Sequence, residues 1–402
     1  MVNAPRDTQR ETWITGVGIV SGLGEGPDMH WQRLNEAPPK PDTETWAPFA
    51  VHRLAPLDLD KQIPKKGDQR QMEPWQRIGC YAAGLALDHA GVKGNADLLA
   101  QMDMIVAAGG GERDEAVDLS VLSGLLQAQQ PGAFLNERLM SDLRPTLFLA
   151  QLSNLLAGNI SIVHGVTGSS RTFMGEEAAG ADAVRVALAR IGAGQSKIAL
   201  VGGAYNAERY EVVLHYAMGN VASKGEPRGI WQRAEAGGGM ALASVGAFLV
   251  MEEAGHARAR GAKPLARLRA VETQQTRRKP GTVTGALQSM WAKLAPNIDL
   301  SGLAVVSGAT GVAPPTAEEQ AFLAAHRDLA VRATGSHIGH GLEPQFPMNI
   351  ALAAVALGRG RMFSSFDTSG FERAMDAPLK QVAVTGVGHW RGEALALLET
   401  VH

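Results

Sequence analysis

Short apolar runs alternate with amphipathic stretches along this chain, and glycine marks many of the joints. Thr12–Val20, TWITGVGIV, is a compact β-branched run and predicts a buried strand. Residues 36–67 carry six prolines and predict an extended excursion. Pro74–Gly91 predicts a helix, with Ile78, Ala82, Leu85 and Ala86 on one face and Gly91 as its stop. Met104–Ala108 predicts a strand that ends in Gly109–Gly111. Glu176–Ile191 has helical spacing, with Val184, Leu188 and Ile191 in one stripe and Gly192 as stop. Ile198–Val201 then predicts a strand closed by Gly202-Gly203.

The same grammar continues to the C-terminus. Ala247–Met251 predicts a strand, and Glu252–Arg260 a short helix stopped by Gly261. Leu265–Val271 opens a second half. Leu303–Val306 predicts a strand, Ala317–Ala325 and Met348–Leu357 helices, and Gln381–Val384 the last core strand. Alternating strands and helices imply an α/β protein with packed layers. The division falls at 1–255 and 256–402. Thr15-Gly16-Val17-Gly18 recurs as Thr385-Gly386-Val387-Gly388, a four-residue echo that by itself is a weak sign of duplication.

Composition narrows the field. At 402 residues the chain exceeds one ordinary core and suits two domains or two fused halves. Hydrophobic residues at 45% and charged residues at 19% place it among globular proteins. A formal charge of −2 gives no global basic field, so no nucleic-acid partner is expected. The charge-free stretches Leu147–Ser170 and Gly237–Met251 are broken by polar residues or are too short, so no membrane span is expected. The opening residues lack a signal-peptide layout, and a cytoplasmic location is expected. A single cysteine, Cys80, removes any internal disulfide and any cysteine-rich zinc site. Its neighbours Ile78, Ala82 and Ala83 make it a buried structural thiol rather than a nucleophile.

Two motifs lose their force in context. His337-Ile338-Gly339-His340 spells a nucleotidyl-transfer string, but only 62 residues follow it and no lysine-rich partner loop is visible. The two histidines could open a metal site, but no third ligand is evident, so no metal and no cofactor are expected, and a structural or surface role is preferred. Gly16-Val17-Gly18-Ile19-Val20-Ser21 lacks the third glycine of a dinucleotide fingerprint, and no well-placed acidic residue follows.

A family resemblance rests on the order and spacing of several strings. Trp13–Gly24 is similar to the opening strand and turn of the β-ketoacyl-acyl-carrier-protein synthases, the condensing enzymes. Ile63–Gly91 resembles the segment after the family's variable loop, with Met72-Glu73 at its usual Met-Asp. Asn154–Gly158 resembles the segment before the nucleophile strand, Ile198–Gly203 the strand after the nucleophile helix, and Gly246–Ala262 is the nearest single match. Gly339-His340 fits the second-histidine motif. The resemblance implies a thiolase-like fold: two similar α/β halves, a five-layered αβαβα core and an obligate dimer. The N-terminal half would carry the nucleophile position and the dimer interface, and the C-terminal half the histidine positions.

Position by position, the resemblance also implies a dismantled site. A condensing enzyme needs a thiolate to accept the acyl chain, two imidazoles (or an imidazole and an amide) for the enolate, and an oxyanion hole. The family's cysteine falls on Glu177, its first histidine on Gly308 and its lysine on Gly335; the second histidine is kept as His340. The late Gly-Phe-Gly loop aligns only loosely with Thr385–Trp390. Either register of Glu176-Glu177 gives a carboxylate, which is a poor acyl acceptor. Glu177 at a helix start would be favoured by the dipole and would read as a solvated cap if it did no chemistry.

The resemblance therefore implies a chain-length-factor-like partner of an active, cysteine-containing synthase, in fatty acid or polyketide biosynthesis. An acyl carrier protein and a homodimeric or heterodimeric partner are expected. Arg185, Arg190, Arg258 and Arg260 are candidate docking charges, against the plainer reading that each solvates a helix face. The alternatives are an active synthase or malonyl-carrier decarboxylase with a nonstandard site, and a carrier-binding scaffold.

Overall fold

The computed structural model describes residues 10–142, 149, 151–326 and 328–401. Ten strands carry the architecture: β1 (Thr12–Ser21), β2 (Asp103–Ala107), β3 (Ser170–Phe173), β4 (Ile198–Tyr205), β5 (Val245–Glu253), β6 (Ala266–Gln274), β7 (Leu303–Ser307), β8 (Ala330–Ala333), β9 (Gln381–Val387) and β10 (Glu393–Glu399). Six helices frame them: α1 (Pro74–His89), α2 (Leu155–His164), α3 (Glu176–Gly192), α4 (Thr282–Leu294), α5 (Ala313–Ala324) and α6 (Gln345–Gly358).

The strand order is β8-β7-β9-β10-β6-β1-β5-β4-β2-β3. Its two halves repeat one pattern. In each, a middle strand lies parallel to two neighbours, followed by two antiparallel strands, and β1 and β6 pair antiparallel where the halves join. The helices repeat too: α1 and α2 cover one outer face, α4 and α5 the other. Between the halves, α3 and α6 pack on each other and on strands of both. This is the thiolase-like, five-layered arrangement. α6 is wrapped on all sides and buried along nearly its whole length, from Gln345 to Leu357, whereas α3 leaves one face partly exposed. An all-round apolar sequence is what such a helix needs.

The predicted elements hold with shifted ends. β4 runs through Gly202 and Gly203 to Tyr205, so those glycines do not stop the strand. They are there because Gly202 lies against Phe248 and Gly203 against Ala107 of the neighbouring strands. Gln381–Val384 is not the last core strand: β10 follows it and lies between β9 and β6. Its sequence, EALALLE, is made of good helix formers. Burial between two strands imposes the extended form there.

The internal echo does not mark the duplication. Thr15–Gly18 lies in β1, whose counterpart is β6, whereas Thr385–Gly388 ends β9, whose counterpart is β4. Similar contacts produced similar strings. Gly16 admits Ala90 of the helix above it, Gly386 admits Phe346 of α6, and each threonine donates to a buried glutamate, Thr15 to Glu252 at 2.9 Å and Thr385 to Glu319 at 2.5 Å.

Within residues 36–67, the short pair Val51–His52 with Leu242–Ala243 gives the excursion an anchor. Leu147, Phe148 and Ala150 of the charge-free stretch lie outside the described residues; its later part forms α2. None of the described helices is long and apolar enough to cross a membrane. Cys80 is buried in α1, and burial pushes its thiol pKa up, as a structural thiol requires.

Candidate functional site

The site forms where the starts of the two central helices face each other. After β3 the chain turns sharply through Gly175 (φ +134°) and Glu176 (φ +56°) into α3. A side-chain-bearing residue at that φ is strained, of order 1–3 kcal/mol. The turn sends the Glu177 side chain inward, where the residue is 7% exposed. It is therefore not a solvated cap.

His340 is held from a different direction. Gly339 has φ +79°, and a Cβ on it would stand 2.6 Å from His52 and 2.8 Å from the Ala241 carbonyl. The His340 N–H donates to Ala241 O (2.8 Å), and its carbonyl accepts from Ala243 N (2.9 Å). So pinned, His340 points Nε2 at Glu177 Oε1 from 2.9 Å. A carboxylate only accepts, so the imidazole N–H is the donor. His337 does not join it. Its ring is buried against Phe366, with a 5.7 Å centroid separation. Neither histidine of the pair is on the surface, as both are at most 5% exposed.

A second imidazole comes from the turn between β9 and β10. His389 Nδ1 lies 3.0 Å from the same Glu177 oxygen, and its backbone N–H donates to that oxygen at 3.1 Å. The turn is closed by Gly388 N–H donating to Gly392 O (2.8 Å) and held by Arg278, which donates to Gly388 O at 2.5 Å. Tyr216 meets the His389 ring edge-on at 5.4 Å. Burial works to raise the Glu177 pKa, but hydrogen bonds from His340 and His389 and the charge of the two rings hold it far below the usual carboxylate range. Burial works against charging His389, yet the Glu177 bond and the Glu177 and Glu176 charges raise its pKa. The resulting centre is an anion bridging two imidazoles.

Glu343 adds a third carboxylate. It is 4% exposed, and burial, reinforced by repulsion from Glu177 and Glu176, pushes its pKa up to about 7. One of its oxygens would meet a Cβ on Gly109 at 2.6 Å, so the glycine run after β2 makes room for it.

The two glycine positions are filled by neighbours. Gly308 faces the same cavity as Glu177 and His340. A Cβ there would collide with the Thr385 backbone carbonyl. A Cβ on Gly335 would stand 2.8 Å from Ile230 Cδ1 and 3.2 Å from Ala309 O. Neither position has space for a longer side chain as the neighbours stand. Glu177, His340 and Gly308 are thus brought together on one cavity; Gly335, in the turn Thr334–Ser336, does not line it.

Sequence reasoning missed His389 and Glu343. The first sits in the loop that aligned only loosely, one of 11 histidines with no motif of its own. The only available signal was its place directly after the second Thr-Gly-Val-Gly string. The proposed docking arginines also differ from one another. Arg190 pairs with Asp103 at 2.8 Å, Arg260 with Glu252 at 2.7 Å, Arg185 with Asp182 on its own helix, and Arg258 covers the Trp13 ring at 4.4 Å.

A five-layered α/β core with a strained strand-to-helix turn opposite a buried histidine defines a ketosynthase-like protein of the thiolase-like class. The family model for the beta-ketoacyl synthase N-terminal domain matches residues 9–257, and the chain belongs to that family. It is 27% identical over 271 residues to 3-oxoacyl-[acyl-carrier-protein] synthase 2 of Rhizobium meliloti (strain 1021), a match covering 63% of this chain and 62% of the relative. The Vibrio harveyi protein of the same name is 24% identical over 272 residues, covering 65% and 62%. The chain thus matches about three fifths of the length of these curated relatives.

Among solved structures, the ishigamide ketosynthase/chain length factor superposes with a TM-score of 0.78 at 18% identity, covering 98% of this chain and all of that one. A type II polyketide synthase complex, an acyl-carrier protein with its ketosynthase (AntDE:AntF), gives 0.72 at 16% identity, covering 98% and 100%. A beta-ketoacyl synthase from Burkholderia phymatum STM815 gives 0.74 at 17%, with the same coverage.

Proposed function

We propose that this chain is a non-condensing partner subunit that shapes the product of a cysteine-containing synthase, in the manner of a chain length factor. One observation carries the reading: the Glu177 carboxylate takes the facing N–H of both imidazoles, His340 at 2.9 Å and His389 at 3.0 Å. The donors that would polarise a thioester are spent on a fixed side chain. No thiol is near, since Cys80 is buried in α1. The packing at Gly308 and Gly335 supports the loss of the first histidine and the lysine.

Two further features support a protein partner and an acyl carrier. The helix Glu115–Gln127 buries none of its residues and exposes Leu119, Leu122 and Leu126, while β3 ends the strand order with its outer edge open. Exposed apolar residues and an open edge suit a second ketosynthase-like chain. The relatives' and neighbours' names place similar folds with acyl-carrier proteins.

The test is elongation by the purified chain, alone and mixed with a cysteine-containing synthase and carrier. Elongation by the chain alone would sink the proposal, as would unchanged product length when the chain is left out of the mixture.

His389 favours a second reading. It restores the number of imidazoles to two, the set that stabilises an enolate, so the alternative is a malonyl-carrier decarboxylase. That reading requires carbon dioxide release from malonyl-carrier by the chain alone, lost in both H340A and H389A.

A further inference from the structure

Around His389 the chain gathers two carboxylates on one ring. Nδ1 lies 3.0 Å from Glu177 Oε1 and Nε2 lies 3.7 Å from Glu176 Oε1. One ligand atom each from Glu176, Glu177 and His389 falls within 4.8 Å of the others. Zinc-type bonds of about 2.0–2.2 Å place two ligands at most about 4.4 Å apart, so the cluster needs to close only slightly around an ion.

A second observation is independent of that proximity. Glu177 Oε2 is buried and has no hydrogen-bond partner among the described residues. It faces the turn that carries His389, because a Cβ on Gly388 would stand 3.2 Å from it. A buried carboxylate oxygen left without a donor is costly, and a cation on that side would satisfy it. Charge points the same way. Glu176, Glu177 and Glu343 share the region, and the only ion pairs to them among the described residues come from histidine.

We propose that Glu176, Glu177 and His389 form a divalent-cation site. One imidazole with two carboxylates and no thiolate suits a borderline first-row ion such as Zn²⁺. His340 stays outside the shell; its Nε2–H to Glu177 Oε1 orients the ligand carboxylate. The bound ion ties the Gly388–Gly392 turn to the start of α3. A bound ion takes a His389 lone pair and replaces that ring's N–H bond to Glu177 Oε1, while His340 keeps its own, and the site is read without synthase or carrier.

The test uses the full chain, freed of metal with a chelator and titrated with ZnCl₂ by calorimetry and with CoCl₂ by visible absorption. The expected result is one ion per chain and a ligand-field band for cobalt. H389Q and E176Q should each weaken Zn²⁺ binding at least tenfold, while H326Q, remote on the outer layer, leaves it unchanged. Zn²⁺ should raise the melting temperature of the parent and not of H389Q. E176Q alters a half-buried side chain and keeps the fold, which thermal melting in chelator verifies. Absence of saturable 1:1 binding, or binding equally strong in both H389Q and E176Q, overturns the site.

Discussion

Glu177 Oε1 and His340 Nε2 lie 2.9 Å apart although 163 residues separate them along the chain. They come from equivalent places in the two halves: the start of α3 and the turn before α6. The duplicated fold therefore brings its two central helix starts face to face, and the chemistry of the site is whatever those two turns carry.

Removing the anion should expose how tightly the turns are coupled. E177A leaves the His340 and His389 N–H groups buried without an acceptor. Breaking a buried, hydrogen-bonded pair in this way costs about 3–5 kcal/mol. E177Q keeps an acceptor and should cost less. It also removes the charge that raises the His389 pKa, so that pKa should fall. Urea unfolding measures the first effect and a histidine NMR titration the second. Equal stabilities of E177A and parent would contradict the bridging role.

Restoring the thiol should not restore condensation. In E177C the imidazole set still lacks a group at Gly308, where a Cβ collides with the Thr385 carbonyl. G308A alone should lower stability by about 1–3 kcal/mol, since backbone moves less readily than a side chain. Elongation assays of E177C, and of E177C with G308H and G335K, should remain at background. Turnover by E177C alone would mean that the rest of the site is intact.

These contrasts explain which parts of the molecule were legible in the sequence. Strands such as β1 and helices such as α1 announce themselves, because β-branched runs and helix-face spacing reflect local physics. The fold was legible through ordered strings rather than through the Thr-Gly-Val-Gly echo, which joins strands that are not counterparts. β10 was hidden because Ala, Leu and Glu favour a helix in isolation, and only its place between β9 and β6 overrides that. Glu177 and His340 could be named from position alone. His389 could not, since nothing local says that the β9–β10 turn folds onto the start of α3.

Acid should destabilise the chain through its buried histidines, above the ordinary carboxylate range. Burial holds His30, His164 and His337 neutral with pKa values of about 4, and His52 with one of about 3. In the unfolded chain each titrates near 6.5. Between those values the unfolded state binds more protons, so stability is full above pH 6.5 and falls as pH drops toward 4. Each such group contributes a slope of about 1.4 kcal/mol per pH unit. Urea midpoints between pH 7.5 and 5 should fall steeply. Replacing His30, bonded to Gly26 O and Ser21 Oγ, should make the fall shallower. A midpoint independent of pH in this range would mean that these rings charge in the folded state.

The four arginines proposed for carrier docking should separate into two groups. Arg260 grips Glu252 with Nε at 2.7 Å from Oε1 and Nη2 at 2.7 Å from Oε2, and donates to Ala90 O at 2.9 Å. Glu252 is fully buried, and without Arg260 it keeps only the Thr15 hydroxyl at 2.9 Å and the His256 ring at 2.6 Å, so R260A should cost about 3 kcal/mol. Arg190, in a partly buried pair with Asp103, should cost less in R190A but more than a surface residue. Arg185 is 42% exposed and, among the described residues, pairs only within its helix, so R185A should stay within about 1 kcal/mol of the parent. If carrier binding uses this face, R185A should weaken it without changing the unfolding midpoint. R260A and R190A should shift the midpoint, with any loss of carrier binding following the loss of folded protein. Carrier binding weakened by R260A at full stability would instead make Arg260 a docking residue.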